Sequence, residues 1–372
     1  DDVKAAWDGS GHDKGRVFDR LRALCPLPAD TDLSTFLASI FAAGSDDLWL
    51  AQTIQKHGPE PLWPAAELDE RGKRAAAGKW PEEPGNIAAS LGKTKGGRDV
   101  SAYYFRGQTD ERAMIIAGVH GTEQSGVEVV EMLRTALTTG PRPYYTVIIV
   151  PRVFPDNVAK GIREGATPTN RNFPKPGESL STATTAGGAK GPVDAQGKPI
   201  LPENVMLMQL IERFRPTRIA SVHATWDKPK AGIFSDPHTV SAAAKAKAGK
   251  AGEAALIAAA DKKTKDDEAL AIKMATEADK QGAKVPGNKL SSGTPNPGWQ
   301  APTPGGTSMG GWGPSDVTEG KPSDRGSMTV ITVEVSGDED SSKSAGAAAK
   351  AARIKEFEAL RDVLRDIFLG PP

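Results

Sequence analysis

From about residue 86 the chain alternates short, β-branched apolar runs with stretches whose apolar positions recur at helical spacing. Ser101–Phe105 and Met114–Ala117 read as strands, and Tyr145–Val153 as a strand buried on both faces. Arg218–His223 and Met328–Val335 read as two more. Between them, Gly126–Leu137 sets Val127, Val130, Leu133 and Leu137 on one helical face. Val205–Phe214 is a second helix, and Ala347–Leu369 a long amphipathic one. Strands alternating with helices predict an α/β fold: a mixed, mainly parallel central sheet flanked by helices.

The other segments predict additions to that frame. Residues 1–85 read as a helical N-terminal extension, with helix-like spacing in Val17–Leu24, Leu33–Ala43 and Leu48–Ile54. Pro59, Pro61, Pro64, Pro81 and Pro84 then break it up into a linker. The domain over 86–372 carries insertions at about 175–202 and 242–322. Lys175–Pro202 is rich in Gly, Ser, Thr and Pro and reads as a surface loop. Ala242–Lys284 is rich in Ala, Lys, Asp and Glu and reads as a solvated helix or helical hairpin. Gly287–Pro322 is Gly/Pro-rich and reads as loop.

Composition narrows the chemistry. The 372 residues carry 47 Lys and Arg against 47 Asp and Glu, so no basic excess points to nucleic acid. No apolar run reaches the roughly 18 residues of a membrane span. Cys25 is the only cysteine, which excludes internal disulfides and thiolate metal clusters. A metal site would have to use His, Asp and Glu. The chain begins at Asp1, as a processed form with its secretory signal removed would, or a trimmed one. That start and the lone cysteine fit a periplasmic or secreted protein, and a cytoplasmic one as well. Nothing here fixes the oligomeric state.

Five histidines make the search short. Ala117-Gly118-Val119-His120-Gly121-Thr122-Glu123 follows a strand and precedes a helix, where α/β sheets place their sites. His120 and Glu123 are three residues apart, and both offer zinc-ligating atoms from one tight turn. His223, at the end of another strand, is the candidate third ligand. His12, His57 and His238 lie in the extension or in a loop and are poorer candidates. Glu334 sits inside the β-branched run Ile331–Ser336, where an unpaired charge is costly unless it faces a cleft. There it could serve as a general base. Arg163, and Asn170-Arg171 in the run Asn170–Pro174, could bind a carboxylate or stabilise an oxyanion.

In this order, His120/Glu123, Val150-Pro151 with Pro155-Asp156, Asn170–Pro174, His223 and Glu334 resemble the zinc metallocarboxypeptidase family. The likeness covers about residues 86–369. It is strongest to the short bacterial branch with the murein peptide amidases and to the succinylglutamate desuccinylase and aspartoacylase branch. Gly161-Ile162-Arg163 resembles the Gly-Leu-Arg of the former. The resemblance implies a metallocarboxypeptidase-like fold and one zinc ion on His120, Glu123 and His223. It implies Glu334 as general base and later proton donor, and Arg163 as oxyanion stabiliser. It places a substrate carboxylate on Asn170 and Arg171, and makes the partner a peptide or murein peptide. One departure matters. The family carries Asp-Leu before Asn-Arg, and that Asp orients a zinc-bound histidine; here Pro168-Thr169 stands instead.

Other readings are weaker or stay open. Gly306-Thr307-Ser308-Met309-Gly310 fits Gly-x-Ser-x-Gly. It lacks the strand before and the helix after, and no histidine follows it, so it reads as a cleft rim. Deacylation of an N-acyl amino acid needs the same site and remains an alternative, as does a non-catalytic carboxylate-binding module. Asp227, Asp236 and Asp316 could meet a substrate amino group, or simply shape turns.

Overall fold

The computed structural model describes residues 87–109, 111–178, 193–298, 306–315, 328–337 and 346–372. The predicted N-terminal extension lies outside them, with His12, Cys25 and His57, as does Asp316.

Seven strands form one sheet: β1 (Ile87–Lys93), β2 (Asp99–Phe105), β3 (Arg112–Ala117), β4 (Thr146–Val150), β5 (Arg218–Thr225), β6 (Gly232–Ser235) and β7 (Thr329–Ser336). Their order is β1-β2-β4-β3-β5-β7-β6. The four central strands, β4, β3, β5 and β7, run parallel. The strands outside them join antiparallel. The sheet is therefore mixed with a parallel centre, as the alternation of strands and helices predicts. The sequence reading misses β1 and β6. β6 has only four residues, too few for a period to register.

The period of two along each strand assigns its residues to opposite faces. Ala113, Ile115, Val147, Ile149, Ala220, Val222, Ile331 and Val333 join one apolar cluster. It is covered by α1 (Gln124–Thr139), α4 (Ala242–Gln281) and α6 (Gly346–Val363). Met114, Ile116, Ile148, Val150, Ile219 and Val330 join the other. There α3 (Pro202–Phe214) lays down Leu207, Met208 and Ile211, and the short α5 (Met309–Trp312) adds Met309 and Trp312. α2 (Pro155–Lys160) lies in the connection after β4.

α4 corrects the expectation of a merely solvated segment. It is one helix interrupted at Gly249, and Ala271, Met274, Ala275 and Ala278 are buried. Small residues at these positions let it pack closely on β6 and α6. Residues 193–202 are likewise more than surface loop. Val193 pairs with Pro199, Asp194 and Ile200 are buried, and Pro202 opens α3.

His238 finds a structural use. Its Nε2 lies 2.7 Å from Asp267 Oδ2 on α4, and Thr329 donates to Asp267 Oδ1 at 2.8 Å. All three residues are buried, so this polar cluster ties α4 to the start of β7. Asp267 serves both, so its removal takes a buried hydrogen-bond acceptor from His238 and Thr329 together. Asp267→Ala is expected to lower unfolding free energy by about 3 kcal/mol, measured by denaturant titration.

Candidate metal centre and cleft

The parallel strands all end at the same edge of the sheet, and the polar residues predicted as a site gather there. After Ala117 the chain leaves β3 through Gly118, whose φ of +65 is open to glycine at little cost. Gly121 lies against the loop around α2. A Cβ at that position would sit 2.2 Å from the Asn157 carbonyl carbon. The bare backbone lets the turn fold back tightly, held by Gly121 N–H donating to Arg163 O at 3.0 Å. His120 thereby points into the cleft, and Glu123 stands at the start of α1.

The third candidate ligand arrives by strand register. On β5 and β7 the residues that alternate with the apolar set become polar toward the carboxyl end: Ser221 and His223, Thr332 and Glu334. β5 and β7 pair so that Ser221 is opposite Thr332 and His223 opposite Glu334. All four line one cavity of about 340 Å³ with His120, Glu123, Arg163, Glu164, Asn170, Arg171, Asp236 and Ser308. The structure thus brings together His120, Glu123, His223, Glu334, Arg163, Asn170 and Arg171.

His120, Glu123 and His223 each offer a ligand atom, and these atoms lie within 4.8 Å of one another. All three residues are buried. The set of two imidazoles and one carboxylate suits one divalent cation, zinc above all, with a coordination position left over. Glu123 Oε2 lies 2.8 Å from His223 Nδ1, and Arg163 donates to Glu123 Oε1 at 2.8 Å. His223 Nε2 is 3.1 Å from Ser221 Oγ, and His120 Nδ1 3.2 Å from Thr169 Oγ1.

The charges follow from this packing. Burial holds the pKa of His120 down to about 3, so the ring is neutral, as a ligand must be. Burial opposes charge on His223 too, but the adjacent Glu123 outweighs it and raises its pKa. Burial likewise opposes charge on Glu123, and His223, His120 and Arg163 outweigh it, keeping the carboxylate ionised. Glu334 feels His223 and Arg163 too weakly to offset its burial. Burial raises its pKa to about 7, against a pull from His223. Burial also raises Asp236 to about 6, although Thr332 donates to its Oδ2 at 2.7 Å.

Asn170 Oδ1 accepts from Met309 N–H at 3.2 Å, which leaves the amide nitrogen as a donor toward a ligand. Arg171 Nη1 donates to the Asn170 carbonyl at 2.6 Å. Ser308 accepts from Gly311 N–H and caps α5, so the Gly-x-Ser-x-Gly run forms part of the cleft wall, as predicted. Ser221, Thr332, Glu164 and Thr169 are the site residues that the sequence reading misses. The first two stand two residues before His223 and Glu334, and strand alternation alone would have put them on the same face. Of the three acids weighed for a substrate amine, Asp236 lines the cavity, whereas Asp227 pairs with Lys230 outside it.

No protein-family model matches the chain. Over 121 residues it is 35% identical to murein peptide amidase A of Escherichia coli (strain K12), a stretch covering 30% of this chain and 49% of that protein. The same figures hold for the protein from E. coli O157:H7. The chain therefore spans about half the length of the curated relatives it matches. Among solved structures, the murein-tripeptide amidase MpaA from E. coli O157 is 20% identical. The alignment covers 82% of this chain and 96% of that one, with a TM-score of 0.41. Carboxypeptidase A from Helicoverpa armigera is 14% identical over 82% of this chain and 73% of its own, with a TM-score of 0.42. An aspartoacylase family protein from Mesorhizobium loti is 12% identical over 78% and 69%, with a TM-score of 0.38.

Gly121 tests the geometry of the turn independently of any chemistry. Gly121→Ala forces its Cβ into backbone atoms that cannot swing aside. It is expected to cost about 1–3 kcal/mol of stability, or to displace His120, read by thermal unfolding and metal uptake.

Proposed function

We propose that this protein is a metal-dependent hydrolase that cleaves an amide bond next to a free carboxylate, in a peptide or murein peptide. One observation carries the reading: three buried ligand residues converge beside an acid, Glu334, whose pKa burial has raised toward neutrality. The stretch of likeness to murein peptide amidase A supports the choice of substrate class.

His120, Glu123 and His223 would hold the ion. Bound there, zinc supplies a Lewis acid for the amide carbonyl and lowers the pKa of water at neutral pH. Glu334 takes the proton of the attacking water and hands it to the leaving amine. Arg163, at the rim with its guanidinium oriented by Glu123, places positive charge near the carbonyl oxygen as it becomes an oxyanion. Asn170 and Arg171 bind the substrate's carboxylate, the arginine as a planar fork that a lysine would not reproduce. Asp236, buried beside this clamp, favours a carboxylate-bearing unit that also carries an amino group. Such a unit occurs in peptides that end in a residue with a side-chain amine, and not in N-acyl amino acids lacking a second amine. A murein substrate would place the protein in the cell envelope.

Two measurements test the reading. Elemental analysis of the purified protein is expected to give close to one zinc per chain, and His223→Ala to lose it. A chain with no metal that still binds peptide would instead be a recognition module. Glu334→Gln is expected to keep the metal and lose about 10²–10⁴-fold in kcat. A base must be deprotonated to work, so kcat/KM is expected to rise with pH through the Glu334 ionisation. A cation nearby draws that pKa below its metal-free value of about 7, so the acid limb should lie at or below neutrality. Full activity in Glu334→Gln would end the assignment.

A further inference from the structure

Asn170 and Arg171 line the cleft from the short turn Thr169–Arg171. So brief a turn fixes little of its own backbone, and other groups must hold it. The next residue, Asn172, is fully buried, and its side chain bonds inward. Its Oδ1 accepts from Leu201 N–H at 2.6 Å, which settles the orientation of the amide, because only the oxygen can accept. Nδ2 therefore faces Asp194 Oδ2 at 2.8 Å and the Pro199 carbonyl at 3.3 Å. Asp194 is itself buried, and its Oδ1 accepts from Gln196 N–H and Lys198 N–H, both at 2.9 Å. Its charge is thus met by N–H donors of its own turn and of Asn172. Ala195 N–H donates to Phe173 O at 3.1 Å and ties the same turn to the residue after Asn172.

Asn204, fully buried on α3, holds the turn at both ends. Its Nδ2 donates to the Thr169 carbonyl at 2.8 Å and to that of Asn172 at 3.3 Å, so one amide brackets Asn170 and Arg171. Its Oδ1 is buried with no partner among the described residues, a cost that an apolar side chain would avoid. We infer that Asp194 and Asn204 are positioning residues for the pair Asn170-Arg171: they fix the backbone of the turn, and through it the place where a substrate carboxylate is gripped. This rests on the reading above of that pair as a carboxylate clamp. Neither Asp194 nor Asn204 lines the cleft, so both act without meeting the substrate. A planar fork must meet both carboxylate oxygens at once, so small displacements of its backbone are felt in full. Residues 193–202 thereby set selectivity from beneath the cleft.

The test is calorimetric binding of N-acetyl-alanyl-lysine and of its C-terminal amide to the full chain. The parent protein is equilibrated with zinc and carries Glu334→Gln, so that neither peptide is cleaved. It is expected to prefer the acid. Asp194→Asn keeps an oxygen for the Gln196 and Lys198 amides but turns a second NH2 group toward that of Asn172. It should weaken binding of the acid about 10–100-fold and leave the amide and the zinc content unchanged. Asn204→Ala should do the same, and serves if Asp194→Asn fails to fold. In Arg171→Ala, which lacks the fork, neither change should weaken the acid further. A parent that binds acid and amide alike refutes the carboxylate clamp, and the inference with it. A parent that prefers the acid, with variants that keep the preference, overturns the inference alone. So do variants that weaken acid and amide equally, or that add their loss to that of Arg171→Ala, because residues that merely support the fold would act so.

Discussion

β5 and β7 run side by side with His223 directly opposite Glu334, and the whole cleft depends on that register. A slip of one residue would send both side chains to the other face, into the apolar layer under α1, α4 and α6. On the opposite face, where they lie, Ile219 and Val330 join an apolar cluster with α3 and α5. Toward the carboxyl end the helices give way, and a cavity stands in place of core. The strands thus change from packing to chemistry along their own length. Ile219, Ser221 and His223 show the progression on one, Val330, Thr332 and Glu334 on the other.

Burial has opposite consequences for the groups gathered there. Glu123 is desolvated but surrounded by His223, His120 and Arg163, so it remains a charged ligand. Glu334, nearby, feels His223 and Arg163 too weakly to offset its own desolvation, so its proton is held more tightly. In the proposed function, their neighbours alone would separate two glutamates of the same chemistry into a metal-holding and a proton-handling role. Asp236 is a third case, hydrogen-bonded to Thr332 yet buried deeply enough that its pKa still rises.

Much of this was legible in the sequence. The β-branched runs located β3, β4, β5 and β7 within a few residues, because buried parallel strands have little choice of composition. His120, Glu123, His223 and Glu334 stood out because polar side chains at strand ends must face something. What could not be read depends on pairing partners. β6 was too short to carry a period, and Asp236 at its end looked like any turn acid. Thr169 was visible only as part of a departure, Pro168-Thr169 where the resemblance leads one to expect Asp-Leu; its contact with His120 arises from folding across many intervening residues. The buried face of α4 was hidden by alanine, which suits a solvated helix and a tight interface equally well.

In the proposed function, the metal ligands and the acid Glu334 come from the sheet and from the turn joined to it, and the groups that would grip the rest of a substrate do not. Arg163, Asn170, Arg171 and Ser308 hang on connections between elements, and the short helix beside them is built largely from glycine, methionine and tryptophan. Reactivity and selectivity therefore occupy different mechanical layers of the molecule. Substitutions in those connections would therefore change what the cleft admits while the strand pairing beneath it stays as it is.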